Sequence, residues 1–569
     1  MVRRVLAVFS FLCAALVPVS SQSAPTDEFV VSFVAGNAQL NPIHSLTSSE
    51  AQIYSALYEG LVTYNPLTME PVPAVAESWD ISDDRLVYTF HLRDNARYWN
   101  GQRVTAQHFR DTWLKVIDPE TDAAYNFLFD VIDGVREYRT GENSDPRSVG
   151  IEAIDRSTLR VRLRKPATHF LRILCHHAFV PVHPSVRDQE DWSDLTAIPG
   201  NGPYVLTERN EDEWILDRNE RYWAADEVKI PRIRVVFTAD DDDTVTDRFN
   251  RGQIDWVTSG MNLSDVQFPE NIVVNPLFAT TYYFIRSDVE PFSDDRVRRA
   301  LALLLPWDQI RDPDIQFIPT DTLVPEIPYY PDVTGITEPN EEEAMQLLAD
   351  AGYRYGVRLP TITIAIPQGQ ESMRVAELMR DSWERSLEVN VEIRVTPYPA
   401  YFDSLENGDF TIGTVSWIGD FADPLTFLQM WISDSNVNDA GFSNFRYDQL
   451  IDDSMLETGV DRYQVLSQAE EILLQTGTVL PVSHSPSINL IDLEAVEGWY
   501  PNPLDVHPFR YLRFTERDPA PGVINFQKDP SVDGGRAGSP AVASEAPRHR
   551  GVTVPGAAPR ATTSRSVAD

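Results

Sequence analysis

Cysteine is almost missing from this sequence: its 569 residues include 2, Cys13 and Cys175. Cys13 sits in an apolar N-terminal stretch, so once that stretch is removed Cys175 is alone and no intramolecular disulfide can form. A fold without that staple must be held by burial. The supply of apolar side chains is adequate, at 42% hydrophobic residues with 12 Trp, 21 Tyr and 26 Phe. The length suits two large lobes or roughly three or four domain-sized units. Cys175-His176-His177 lacks a second ligand cluster elsewhere in the chain, and adjacent side chains point in different directions. After the core-like run Phe170-Leu171-Arg172-Ile173-Leu174, Cys175 reads as a buried structural thiol, not a metal ligand.

Positive charge is also scarce. The chain has 48 basic against 86 acidic residues, a formal net charge of -38. Binding a phosphate backbone needs a basic surface, which excludes nucleic acid as the main partner and disfavours tight contact with anionic lipid. The acidic run Asp240-Asp241-Asp242-Asp243 lacks the spaced ligands, glycine and distal glutamate of a calcium loop, so it reads as a solvated turn. Beyond the N-terminus no stretch reaches the roughly 18 apolar residues that a spanning helix needs. There is no Gly-x-Ser-x-Gly elbow and no His-Glu-x-x-His, and the 10 histidines are scattered. An exported hydrolase therefore has little support, and no set of residues calls for a metal or cofactor.

What is present begins with a targeting segment. Arg3-Arg4 precede an apolar run from Val5 to Val19, and Ser20, Ser21, Ser23 and Ala24 offer small residues for cleavage. Residues 1–23 are read as a secretory signal peptide, cleaved after Ser21 or Ser23. Cys13 could instead carry a lipid, but Ser10-Phe11-Leu12 before it fits that processing pattern poorly. The expectation is a periplasmic protein, soluble or at most lipid-tethered. At the other end, residues 516–569 are rich in Pro, Gly, Ala, Ser and Arg; such a composition cannot repay its ordering entropy and predicts a disordered tail. Between these ends strands such as Phe29–Val34 and Val87–Arg93 alternate with amphipathic helices such as Ala106–Ile117 and Ser372–Ser386. That mixture predicts α/β lobes.

One stretch, Ser416-Trp417-Ile418-Gly419-Asp420-Phe421-Ala422-Asp423-Pro424, is unusual. It follows a predicted buried strand, Phe410–Val415, and places a carboxylate between Trp417 and Phe421. A buried Asp normally needs a donor or a cation. Local chemistry alone permits a plain turn, with Asp423-Pro424 capping the next helix.

Other stretches in order are Leu40-Asn41-Pro42, Leu57-Tyr58-Glu59-Gly60-Leu61, Ala74-Val75-Ala76-Glu77-Ser78-Trp79, Trp99-Asn100-Gly101 with Val104-Thr105-Ala106, and Gly200-Asn201-Gly202-Pro203-Tyr204. They continue with Arg218-Asn219-Glu220-Arg221-Tyr222-Trp223, Pro291-Phe292-Ser293-Asp294-Asp295-Arg296 and Pro481-Val482. Together these resemble the peptide-binding proteins of bacterial ABC importers, extracytoplasmic solute-binding family 5. Asp118-Pro119-Glu120-Thr121 and Ser416-Trp417 place the resemblance nearest the oligopeptide branch.

The resemblance implies a two-lobed α/β fold of the periplasmic-binding-protein type (type II-like), with an extra subdomain in lobe I and the ligand enclosed between lobes. The binding protein would span residues 24–515, with lobe I at 25–279 and 486–515 and lobe II at 280–485. Asp420 would pair with a peptide's α-ammonium. Backbone groups of Val415, Ser416 and Trp417, and of the segment near Ser48, would pair with an extended ligand as an added strand. Trp417, Tyr398, Tyr125 and Tyr282 would line side-chain pockets. The family's arginines for the ligand carboxylate are replaced by Leu405 and Thr414, and its cysteine pair by Ala279 and Ile418. Without those arginines, amidating a peptide's C-terminus is expected to cost little. The implied partners are short peptides and the permease subunits of the inner membrane, with a monomeric receptor and no cofactor. Other cargo on the same scaffold (dipeptides, cell-wall or signalling peptides, nickel chelates) and a chaperone or sensor role stay open.

Overall fold

Two sheets, joined where the chain crosses twice between them, frame the molecule. The computed structural model describes residues 28–515 except 35–39, 45–47, 122, 190–191, 193–197, 239–243, 313–317, 398–399, 407 and 422. The signal peptide, the tail, the Asp240–Asp243 run and Tyr398 therefore lie outside the described residues.

The chain enters on β1 (Glu28–Val34), whose inward residues Phe29, Val31 and Phe33 are buried, and continues into α1 (Ser48–Leu57). A small antiparallel sheet follows, made of β2 (Ala76–Ile81), β3 (Val87–Leu92), β4 (Ile151–Ala153) and β5 (Thr158–Arg162) in the order β2-β3-β5-β4. Its strands read as alternation should: Tyr88, Phe90 and Leu92 face inward, and α2 (Ala106–Val116) packs Phe109, Trp113 and Val116 into the core. This is the extra subdomain. The chain then returns through β6 (Tyr204–Arg209), β7 (Glu213–Arg218), β8 (Arg232–Thr238), β9 (Trp256–Val257) and β10 (Ile272–Pro276).

After β10 the chain crosses into a second sheet. Its members are β11 (Ala279–Ile285), β12 (Ile318–Pro319), β13 (Ile362–Pro367), β14 (Val391–Thr396), β15 (Ile412–Ile418) and β16 (Val479–His484), in the order β12-β16-β11-β15-β13-β14. Helices α3 (Asp295–Leu303), α4 (Gln370–Ser386), α5 (Leu425–Leu428) and α6 (Gly459–Gln475) cover it. From β16 the chain crosses back at Ser485 into β17 (Pro486–Ile491), which completes the first sheet as β10-β17-β9-β1-β8-β7-β6. The fold is thus the expected two-lobed α/β type.

Just before the first crossing and just after the second, the strands share one polar anchor. Asn275 donates to the Asn502 carbonyl (2.7 Å) and to Asp505 (3.2 Å), and Ser487 also donates to Asp505 (2.8 Å). Burial would raise the Asp505 carboxyl, but hydrogen bonds and charge from His507, with those from Ser487 and Asn275, hold it below its ordinary value.

The strand expected at Phe410–Val415 is instead Ile412–Ile418. Its extent follows from pairing: it runs antiparallel to β11 over its whole length, from Ile285↔Ile412 to Ala279↔Ile418. Ala279 and Ile418, standing where the resemblance places a cysteine pair, therefore sit directly opposite each other.

Candidate functional site

Strand β15 is saturated on one side and open on the other. Against β11 it pairs along all 7 residues, whereas parallel β13 meets it only at Ile364↔Ile412. The Tyr401 hydroxyl then caps the next position: it accepts from the Thr414 amide (3.0 Å) and donates to the Thr414 carbonyl (3.1 Å). Since backbone direction alternates along a strand, the amide and carbonyl of Ser416 and Ile418 face that same open edge. Val415 and Trp417 turn theirs toward β11. The added-strand surface thus centres on Ser416.

Gly419 ends the strand and places Asp420. A Cβ there would lie 2.7 Å from a Phe278 ring carbon and 2.9 Å from the Thr426 methyl, so only glycine fits. The Gly419 amide donates to the Phe278 carbonyl (2.8 Å), tying the turn to the first crossing. The Asp420 amide donates to the Thr426 hydroxyl (2.8 Å), which in turn donates to Asp420 Oδ2 (3.2 Å).

Among the described residues no arginine or lysine forms an ion pair with Asp420; His176 Nε2 lies 3.6 Å from its Oδ1, the Asp420 and His176 side chains being 6% and 7% exposed. His176 Nδ1 accepts the Ala178 amide (3.2 Å), which puts the proton of the neutral ring on Nε2, toward Asp420. Burial, then the adjacent His177, holds His176 well below its ordinary value, so it brings no charge. Burial accordingly pushes Asp420 up to about 7, opposed only in part by Thr426.

Three residues on, Asp423 shows the opposite arrangement. Arg462 donates to both its oxygens (2.7 and 2.8 Å), and Asp423 accepts the Leu425 amide (3.0 Å) at the start of α5. Burial would raise Asp423, but Arg462 and His169 hold it below the ordinary carboxylate value. Asp423 is a paired structural anion; its carboxylate does accept the first amide of α5, but the N-cap position expected for it is held by Pro424. Asp420 is a carboxylate waiting for a partner.

The other expected site residues fall as follows. Trp417 and Val415 are half-buried and Ser416 is exposed; the Trp417 indole N–H is buried with no acceptor among the described residues. The Tyr125 ring lies 4.5 Å from that of His176, edge-on, at the Asp420 pocket. Ser48 opens α1. Tyr282 requires a correction: at 1% exposure its side chain lines no pocket, its hydroxyl meeting Met430 Sδ (3.8 Å) beside the Trp431 ring, behind the sheet. Residues 280, 282 and 284 share that inner face by strand alternation.

Sequence reasoning passed over Tyr64, whose hydroxyl donates to the Asp420 carbonyl (3.4 Å), and over His176 and Tyr401. In the sequence His176 stands only beside Cys175 and His177, and nothing local links it to a residue more than two hundred positions away. Cys175, half-buried, contacts the Leu171 carbonyl through Sγ (3.5 Å), and burial pushes its thiol up, as suits a structural role. Leu405 and Thr414 are both buried, and beside Thr414 and Ser416 lies a cavity of about 310 Å³.

Residues 70–439 match the model of the bacterial extracellular solute-binding proteins, family 5 (middle). The chain is 30% identical over 462 residues to the dipeptide-binding protein DppE of Bacillus subtilis, covering 78% of this chain and 83% of that one. It is 30% identical over 498 residues to the periplasmic murein peptide-binding protein MppA of Escherichia coli, covering 82% and 90%. The solved structure of that murein tripeptide binding protein superimposes with a TM-score of 0.77 at 27% identity, over 87% of this chain and 99% of that one.

Proposed function

Because the chain belongs to the bacterial extracellular solute-binding proteins of family 5, we propose that it is the receptor subunit of an ABC importer, capturing short peptides in extended form for delivery to a permease. One observation carries this reading: a buried carboxylate that has no counter-cation among the described residues ends a strand whose outer edge they leave unpaired. A peptide supplies both missing partners. Its α-ammonium neutralises Asp420, and its backbone adds a strand along Ser416 and Ile418. Neither contact depends on the peptide's side chains, so one site accepts many sequences.

On this reading lobe I comprises residues 25–279 and 486–515 and lobe II residues 280–485. Residues 1–23 direct export to the periplasm, where the receptor works as a monomer and performs no catalytic step. Val415, Trp417, Tyr125 and the segment at Ser48 complete the ligand's surroundings. Asp420 requires an amine in the cargo; dipeptides and cell-wall peptides meet that requirement, and a nickel chelate without an amine does not.

Calorimetry with peptides in free and N-acetylated forms tests the assignment. Acetylation should abolish measurable binding. Equal affinity for both forms would remove Asp420 from the role of anchor.

A further inference from the structure

Phe421, the residue after Asp420, stacks on the ring of His169, with centroids 6.0 Å apart and 12° between the planes. His169 also lines a cavity of about 30 Å³ between the extra subdomain and the second lobe. On one side stand Leu128, Val131 and Ile173, on the other Leu425, Ile432 and Ile451. Such a space holds one or two waters.

The charged groups around this cavity are all paired. Arg164 meets Asp452 (2.9 Å), Arg136 meets Asp434 (2.7 Å), and Arg139 donates to Asp130 (2.7 Å). Asp448 accepts the Ser433 amide (3.0 Å) and hydroxyl (2.7 Å). The uncharged polar groups are not so placed. His169 is 2% exposed, and neither of its ring nitrogens has a hydrogen-bond partner among the described residues. Gln429, 7% exposed, leaves its amide nitrogen Nε2 equally without an acceptor among them. A neutral imidazole offers one donor and one acceptor, and the amide nitrogen two donors. Buried in this way, both groups lose bonds that solvent would supply.

That loss belongs to lobe closure, because His169 comes from the lobe of residues 25–279 and Gln429 from that of residues 280–485. Related proteins also exist open. The unliganded open form of the Escherichia coli murein tripeptide binding protein superimposes with a TM-score of 0.59, against 0.77 for the other structure of that protein. Identity is 27% in both comparisons and coverage of this chain 86% and 87%, so the two differ in the setting of the lobes. We propose that His169 and Gln429 are a built-in counterweight to closure: parting the lobes returns both to water, so the empty receptor rests open and closes around cargo. The proposal rests on the peptide-receptor reading above. An incoming ammonium relieves Asp420 but brings no partner for these nitrogens, so their cost persists in the complex and hastens release. The ion pairs around the same cavity pull the other way.

Two substitutions isolate the effect. Gln429→Met keeps the length of the side chain and deletes the unpaired amide. His169→Phe keeps a flat ring against Phe421 and deletes both nitrogens. Calorimetry and stopped-flow kinetics with tri-alanine, at pH 8 where the imidazole is neutral, compare each variant and the double variant with wild type. Each single variant is expected to bind about 5-fold or more tightly, with the gain appearing as slower release. Small-angle scattering of the ligand-free double variant should give a smaller radius of gyration than wild type.

Unchanged affinity, release rate and radius of gyration in variants that melt like wild type would overturn the proposal. So would a lower melting temperature in both single variants, because it would mean that the two groups hold protein bonds in the open form. Where one variant alone melts lower, the other decides, since the two residues stand on opposite lobes. Equal binding of N-acetyl tri-alanine would instead overturn the peptide-receptor reading, and the scattering of the ligand-free double variant then decides the counterweight by itself.

Discussion

Arg136 Nε lies 2.7 Å from Asp434 Oδ2, an ion pair that joins the extra subdomain to the lobe carrying β15. It does not stand alone. Arg139, bonded to Asp130, also donates to the Asp434 carbonyl (3.0 Å), and Arg164 reaches Asp452 (2.9 Å). Asn436 donates to the Ala123 and Ala124 carbonyls (3.1 and 3.2 Å). With Asp420 held near His176 and Tyr64, these contacts tie the segment from Ala123 to His176 to the segment from Asp420 to Asp452.

Breaking this latch should speed ligand release. Arg136 and Asp434 are each about one-third exposed, at 30% and 28%, so the pair is worth no more than ~1 kcal/mol. Asp434→Ala is expected to raise a peptide's dissociation rate about 2- to 5-fold in stopped-flow measurements, an effect that shrinks with added salt. Adding Asp452→Ala should increase it further. Unchanged rates in the double variant would show that closure depends on the ligand alone.

Asp420 should make both stability and binding depend on pH. Its carboxyl stands at about 7 in the fold against about 4 in an unfolded chain. The folded state therefore holds the proton more tightly across that window, and the stability of the empty protein falls as pH rises from about 4 to about 7, by up to ~1.4 kcal/mol per pH unit from this group. Glu470, raised by burial to about 7, adds a slope of the same sign, so the comparison has to be with Asp420→Asn. The melting temperature of that variant minus wild type should climb between pH 4 and 7 and then level off.

In binding, the arriving ammonium ionises Asp420 and expels its proton below pH 7. Calorimetry in two buffers of different ionisation heat should detect close to one proton released at pH 5.5 by wild type and none by Asp420→Asn. The same variant should bind free peptides more weakly by ~2–5 kcal/mol, as for truncating a buried charge pair.

Gly419→Ala should cost function more than stability. The new methyl would meet Phe278 at 2.7 Å and Thr426 at 2.9 Å, and relief requires moving the turn that aims Asp420. Overpacking of this kind costs ~1–3 kcal/mol. The expected result is a modest drop in melting temperature with a loss of peptide affinity approaching that of Asp420→Asn. Near-normal affinity would mean that the turn tolerates the shift without moving the carboxylate.

Local pattern sufficed for the elements themselves. Apolar spacing placed a helix at Ser372–Ser386, found at Gln370–Ser386, and strands at Phe29–Val34 and Val87–Arg93, found at Glu28–Val34 and Val87–Leu92. Side-chain periodicity is a property of neighbouring residues, so it is written in the sequence. That the Asp423 carboxylate meets the first amide of α5 was legible for the same reason, since the two lie two residues apart; its pairing with Arg462 was not.

Local residues left Asp420 open as a turn carboxylate, and only the family resemblance marked it as an anchor. Whether it is a turn carboxylate or an unpaired buried anion depends on His176, Tyr64 and Phe278, which come from distant parts of the chain. The extent of β15 was settled by pairing with β11, its open edge by where β13 stops, and the fate of the Tyr282 side chain by which face of the sheet it occupies. The sequence by itself determined the alternation, the caps and the missing disulfide. Tertiary structure alone decided that Asp420 is left, among the described residues, without a cation, because desolvation depends on everything packed around a group and not on its neighbours in the chain.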